Sequence, residues 1–265
     1  MAAGDFDADG IDEILLSYQP LLDAYQLHDF ATAAAEWISP PELGDAVIGD
    51  SADITGDGRP DFAFVTEDGG VVALDAFGNS VLWRAEQQGF GVDIVLTDID
   101  GNPVAETIAA TRRTISMYSS SGTPVASIDF DENVVDLAIG DTDDDDAPEI
   151  WALVGAPSPA YAQIHRLDGE LRTVSTFDLG APATSLALTG IATNGERDLA
   201  VYLRRNPFGS KEGLSVRDAA TGVELWRSPA LLGSIPANGI HFFELPGSGE
   251  AAIAIAGQFA MYVTR

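Results

Sequence analysis

The chain has no cysteine, and of its 13 basic residues only Lys211 is a lysine. Without thiols there are no disulfides, thiolate metal sites or cysteine nucleophiles, so any metal held here takes oxygen or histidine ligands. Histidine is scarce too: His28, His165 and His241 fall in unrelated parts of the sequence. Nucleophile elbow, phosphate loop and HExxH patterns are all missing. Long hydrophobic runs are missing as well. None reaches the roughly 18 residues of a membrane span, and the opening MAAGDFDADG does not read as a signal peptide, so no membrane insertion is expected. Positive charge is the last shortage. Against 42 acidic residues the 13 basic ones leave a formal net charge of -29, which argues against nucleic acid or anionic membrane as a general partner.

What the chain has in excess is carboxylate, and it is placed with a rule. The stretch GDFDADGIDEILL puts acids at Asp5, Asp7, Asp9 and Glu13 around Gly10, directly before an apolar run. Acids at alternate positions repel one another unless a cation sits among them, and a hard cation such as calcium takes six to eight oxygen ligands in a flexible loop. A solvated acidic turn is the alternative. The pattern D-x-D-x-D-G-x-x-(D/E) recurs as DITGDGRPD from Asp53, DIDGNPVAE from Asp98 and DTDDDDAPE from Asp141. Degraded copies follow, GIATNGERD from Gly190 and ELPGSGEAA from Glu244, and these have lost most ligand-type residues. The first positions fall at 5, 53, 98, 141, 190 and 244, a return every 43 to 54 residues that marks a repeat architecture.

Short apolar runs flank each copy, such as VVDLAIG before Asp141 and EIWALV after it, and their length and β-branched content make them strands. A second pair of strands surrounds a glycine turn in four units, at Gly78, Gly122, Gly169 and Gly222. Each unit is therefore a four-stranded antiparallel meander. Such units with no helices between them describe an all-β fold, a β-propeller of four-stranded blades in one domain over residues 1–265. Six blades are counted, or seven if the chain is a segment of a longer protein. The first unit has only MAAG for its opening strand, and the last stops at AMYVTR without an outer strand.

These repeats resemble the FG-GAP or VCBS family, the calcium-binding propeller repeats of integrin α-subunit heads and of many bacterial surface and secreted proteins. The resemblance implies that loop positions one, three, five and nine give side-chain oxygens and position seven a backbone carbonyl. Carried over, the first site uses Asp5, Asp7, Asp9 and Glu13 with the carbonyl of Ile11, and the second Asp53, Thr55, Asp57 and Asp61 with that of Arg59. The third uses Asp98, Asp100, Asn102 and Glu106 with the carbonyl of Val104, and the fourth Asp141, Asp143, Asp145 and Glu149 with that of Ala147. About four Ca2+ ions are thus implied. A glycine at position six permits the positive φ of a tight loop, as at Gly10 and Gly58, whereas Pro103 and Asp146 stand there in the third and fourth loops, whose backbones must differ. An EF-hand is excluded, because position twelve is Leu16, Phe64, Ala109 and Ala152, inside strands.

Segments around Trp83 and Trp226 also resemble the tryptophan repeats of quinoprotein dehydrogenase propellers, but core packing between neighbouring units accounts for both residues. Arg84, Arg112, Arg113, Arg204, Arg205, Lys211 and Arg227 fall in or beside connections at the end of each unit opposite the acidic loops. That face, with Arg112, Arg113, Arg204, Arg205, Phe208 and Lys211 as candidate ligand-binding residues, is expected to take an anionic protein or glycan. The expected function is an extracellular or cell-surface binding or adhesion module stabilised by calcium. The alternative is a propeller enzyme, either a polysaccharide lyase or hydrolase or a quinone-dependent dehydrogenase.

Overall fold

The computed structural model describes residues 2–4, 10–11, 13–18, 24–29, 31–38, 46–75, 80–143, 145–155, 161–192, 197–203, 213–228, 240–244, 251–256 and 261–264. Every regular element among them is a strand. The chain divides into two compact units, Met1–Asp129 and Phe130–Arg265.

The first unit holds three sheets. They are β1 (Ala2–Gly4), β2 (Glu13–Tyr18), β3 (Ala24–Asp29) and β4 (Ala35–Ile38); β5 (Ala46–Ala52), β6 (Asp61–Thr66), β7 (Val71–Asp75) and β8 (Ser80–Ala85); and β9 (Gly91–Thr97), β10 (Glu106–Thr111), β11 (Thr114–Tyr118) and β12 (Pro124–Asp129). The second unit holds β13 (Val134–Gly140), β14 (Glu149–Val154), β15 (Gln163–Leu167) and β16 (Thr173–Asp178), then β17 (Ala183–Ala192), β18 (Arg197–Leu203), β19 (Gly213–Arg217) and β20 (Glu224–Arg227). A last sheet has three strands, β21 (Ile240–Glu244), β22 (Ala251–Ala256) and β23 (Met261–Thr264). All neighbours are antiparallel and in sequence order, the meander expected from the repeat, and the short opening strand and three-stranded last sheet match the ragged ends of the pattern.

Burial explains why the second strand of each repeat reads as a continuous apolar run. Every residue of β6, β10 and β14 is buried, so both faces pack and no alternation survives. The fourth strands β12 and β16 alternate exposed and half-buried residues, and all of β20 is exposed. Cores form between consecutive sheets. In the first unit Ile54, Val65, Trp83, Ile94 and Tyr118 join the second and third sheets; in the second unit Trp151, Ile164, Leu186 and Val201 join the fourth and fifth. First strands of successive sheets lie side by side, β5 against β9 and β13 against β17. A carboxylate ties each pair: Asp50 Oδ2 accepts the Leu96 N–H at 2.9 Å, and Asp136 Oδ2 accepts the Leu186 N–H at 2.8 Å.

The third-to-fourth strand turns differ from expectation in one unit. Gly122 and Gly222 occupy the left-handed position, with φ of 77° and 70°, and their N–H groups close the turns on Ser119 and Asp218. In the fourth sheet that position belongs to Leu171, φ 60°, whose N–H bonds Asp168, so Gly169 is not its counterpart. Gly78 lies outside the described residues. Trp83 packs as expected: it is buried, its Nε1 donates to the Ser120 carbonyl at 3.0 Å, and its ring is 5.6 Å from that of Tyr118. Trp226 corrects the expectation of core packing. It stands opposite Val216 as Trp83 stands opposite Ala73, yet 47% of it is exposed.

Candidate metal centre

Each described acidic loop joins the first strand of a sheet to the second, and its ninth residue is the first residue of that second strand. Glu13, Asp61, Glu106 and Glu149 are accordingly buried at the foot of β2, β6, β10 and β14. A carboxylate buried there needs donors, and the loop supplies one from position two. Ile54 N–H reaches Asp61 Oδ2 at 3.0 Å, Ile99 N–H reaches Glu106 Oε2 at 2.9 Å, and Thr142 N–H reaches Glu149 Oε2 at 2.9 Å. Position one gathers the far side of the loop. Asp53 accepts from Gly56 and Gly58 at 2.6 and 2.8 Å, Asp98 from Gly101 and Asn102 at 2.8 and 3.1 Å, and Asp141 from Asp146 at 3.1 Å. Position five bonds the N–H two residues on, from Asp57 to Arg59, Asn102 to Val104 and Asp145 to Ala147.

Position six sorts the loops by backbone. Gly10 and Gly58 have φ of 88° and 86°, and Asp146 adopts 65° in the fourth loop, so aspartate serves there where glycine was expected to be needed. Pro103 cannot take a positive φ, and the third loop makes its left-handed turn at position four instead, Gly101 at 81°. The third loop alone therefore departs in the way the sequence indicates.

The side chains converge in two of the loops. Asp98, Asp100 and Glu106 each offer an oxygen within 4.8 Å of the others, and so do Asp141, Asp143 and Glu149. Among the described residues Asp53, Asp57 and Asp61 form no such group, since Thr55 holds the third position there. Asp5, Asp7 and Asp9 lie outside the described residues; of the first site Ile11 is exposed and Glu13 is buried. All-oxygen donor sets of this kind suit a hard divalent cation such as calcium. Electrostatics in the third loop point the same way. Burial pushes the Glu106 carboxyl upward, the Ile99 N–H opposes this, and Asp100 and Asp98 add repulsion. Burial likewise raises Asp61, against the pull of its Thr55 and Ile54 amide bonds.

The fourth loop holds a residue that the motif does not contain. Arg166, on β15, places Nη2 2.6 Å from Asp143 Oδ2 and 2.7 Å from Glu149 Oε1. Burial works against its charge, but the hydrogen bonds to Asp143 and Glu149 outweigh that and its pKa rises. An arginine in the otherwise apolar column of third-strand residues was the available signal, and it becomes legible only once strand register is known.

At the opposite end, Arg112 and Arg113 are exposed in the β10–β11 turn, and the Arg112 guanidinium lies 4.9 Å over the Phe90 ring. Exposed Glu67, Asp68 and Glu86 share those connections, so this part of the face mixes charges rather than being basic. Arg227 is paired with Glu224 at 2.5 Å. Arg204, Arg205, Phe208 and Lys211 lie outside the described residues. His165 sits in β15 with its ring edge-on to Phe130 at 5.2 Å, a packing role.

No family model matches the chain, and no curated protein matches it in sequence. Solved structures do resemble it. The Saccharomyces cerevisiae protein Sqt1 aligns over 93% of this chain and 66% of its own with a TM-score of 0.67 and 11% identity, so this chain spans just under two thirds of that protein. BBS1N, crystallised in complex with ARL6DN and soaked with lead, aligns over 99% of this chain and 77% of its own with a TM-score of 0.73 and 14% identity. The mercury-soaked form of that complex aligns over 98% and 88%, with a TM-score of 0.67 and 10% identity. Likenesses at this identity establish the fold alone, and that fold is the β-propeller.

Proposed function

We propose that this chain is a calcium-stabilised propeller that works as a protein-binding module at the cell surface or outside the cell. The observation that carries the calcium reading is the third loop. Asp98, Asp100 and Glu106 converge within 4.8 Å, and no lysine, arginine or histidine among the described residues pairs with them. A divalent ion relieves that repulsion and ties β9 to β10 through the loop. The FG-GAP resemblance of the spacing supports the same reading, as does the recurrence of acids at both the first and ninth positions in four loops. Calcium loops of modest affinity are filled where calcium is millimolar, which favours an outside location. A protein partner is supported by the fold, since the propeller neighbour BBS1N was crystallised in complex with ARL6DN. The partner-facing end is the one opposite the acidic loops, where Arg112, Arg113 and Phe90 are exposed.

The test is thermal unfolding of metal-stripped protein at fixed high ionic strength, with a few millimolar calcium or magnesium. A calcium-specific rise in midpoint supports the reading, because a ligand at about 100 times its dissociation constant adds roughly 2.7 kcal/mol. Equal curves in all three conditions contradict it.

A further inference from the structure

Strand register puts one residue of each third strand opposite the second residue after the loop's ninth position. In the first three sheets that residue is Leu27, Ala73 and Met117, opposite Leu15, Ala63 and Ile108. All three are buried. In the fourth sheet it is Arg166, opposite Trp151. The side chain that packs the core elsewhere instead carries a guanidinium, which bridges the third-position and ninth-position carboxylates at 2.6 and 2.7 Å. Glu149 is then fully used, since its other oxygen accepts the Thr142 N–H at 2.9 Å and hydroxyl at 2.5 Å. The third loop has the same carboxylates at the same positions and Met117 in the column, so no side chain among the described residues compensates its charge.

We infer that Arg166 is the built-in cation of the fourth loop, taking the place that a divalent ion takes in the third. A guanidinium already bonded to Asp143 and Glu149 repels a second cation and holds two of the oxygens such an ion needs. The fourth loop is thus closed without metal, and Arg166 sets that loop apart from the third in its response to calcium. The ion-uptake half of this inference rests on the calcium reading of the third loop. The internal pairing does not.

Two measurements on the whole chain test it. In calcium-free buffer with a chelator, unfolding midpoints of the wild type, Arg166→Met, Asp143→Asn and the double variant form a cycle. The expected result is that Arg166→Met lowers the midpoint by several degrees and that Asp143→Asn costs nothing further once Arg166 is gone. Fully additive losses overturn the inference. If Arg166→Met does not fold, Arg166→Gln removes the charge while keeping a hydrogen-bond donor for the carboxylates and serves in the same cycle.

Equilibrium dialysis against calcium then compares the wild type, Asp100→Asn and Arg166→Met. Gain of one equivalent by Arg166→Met and loss of one by Asp100→Asn is the expected pattern. Unchanged uptake by Arg166→Met beside a loss in Asp100→Asn overturns the inference and leaves the calcium reading standing. Absence of uptake by all three proteins removes the calcium reading instead, and the cycle alone then decides whether Arg166 is the loop's cation.

Discussion

A Cβ built on Gly122 would lie 2.5 Å from Cγ of Trp83, so the turn of the third sheet closes directly on the tryptophan of the second. The fourth and fifth sheets repeat the relationship, where a Cβ on Gly222 would lie 2.5 Å from Cγ of Phe177. Gly122 also needs its φ of 77°, and an L side chain is strained there. Gly122→Ala therefore combines backbone strain with overpacking, and the expected loss is about 2–4 kcal/mol. Urea denaturation of the variant measures it. A loss below about 0.5 kcal/mol would show that the turn is not seated on Trp83.

Asp50 gives a pH dependence. Burial raises its carboxyl pKa, against the Leu96 and Ser51 amide bonds that favour the anion. A raised folded-state pKa means that, between the ordinary value of about 3.9 and the folded value, the folded protein binds more protons than the unfolded chain. Stability contributed by Asp50 therefore falls as pH rises through that window. Unfolding midpoints of the wild type and Asp50→Asn from pH 3.5 upward, at fixed ionic strength, check this. The wild type loses more stability across the window than the variant does; parallel curves contradict the assignment.

Asp61 and Asp57 separate the two jobs proposed for loop carboxylates. Asp61 is buried and accepts the N–H groups of Ile54 and Thr55, both at 3.0 Å. Asp61→Ala strands both donors, and the expected cost is about 2–4 kcal/mol with or without calcium. Asp57 is exposed and caps only Arg59, so in calcium-free buffer Asp57→Asn changes stability by less than about 1 kcal/mol. Similar losses for both variants without calcium would remove the distinction between folding the loop and binding an ion.

Much of this architecture can be read without coordinates, and the reasons are local. The runs DFAFVT, ETIAAT and EIWALV are too short for helices and lie directly behind a nine-residue acidic signature, so their strand character and period follow from sequence alone. Turn chemistry is less legible. Leu171 takes the left-handed position although Gly169 stands two residues earlier, because the closing bond from Leu171 to Asp168 fixes the turn and not the composition of its residues. Asp146 takes a glycine-like φ that aspartate tolerates, and its substitution for glycine therefore overstated the change in the fourth loop. Arg166 is invisible to any local pattern. It lies 17 residues from Glu149 and meets it only through the pairing of β14 with β15. Burial of Trp83 against exposure of Trp226, at equivalent register positions, likewise depends on neighbours that no single repeat encodes.

The central claim is that calcium occupies the third loop, and its most direct test is a calcium titration of the unfolding midpoint for the wild type and Asp100→Asn. Asp100 is exposed and in the loop accepts the Asn102 N–H at 3.1 Å, so the asparagine variant folds without calcium as the wild type does. The account predicts a midpoint that climbs with calcium in the wild type and a clearly weaker climb in Asp100→Asn, with magnesium ineffective at the same concentration. Coincident titrations of the two proteins would contradict it.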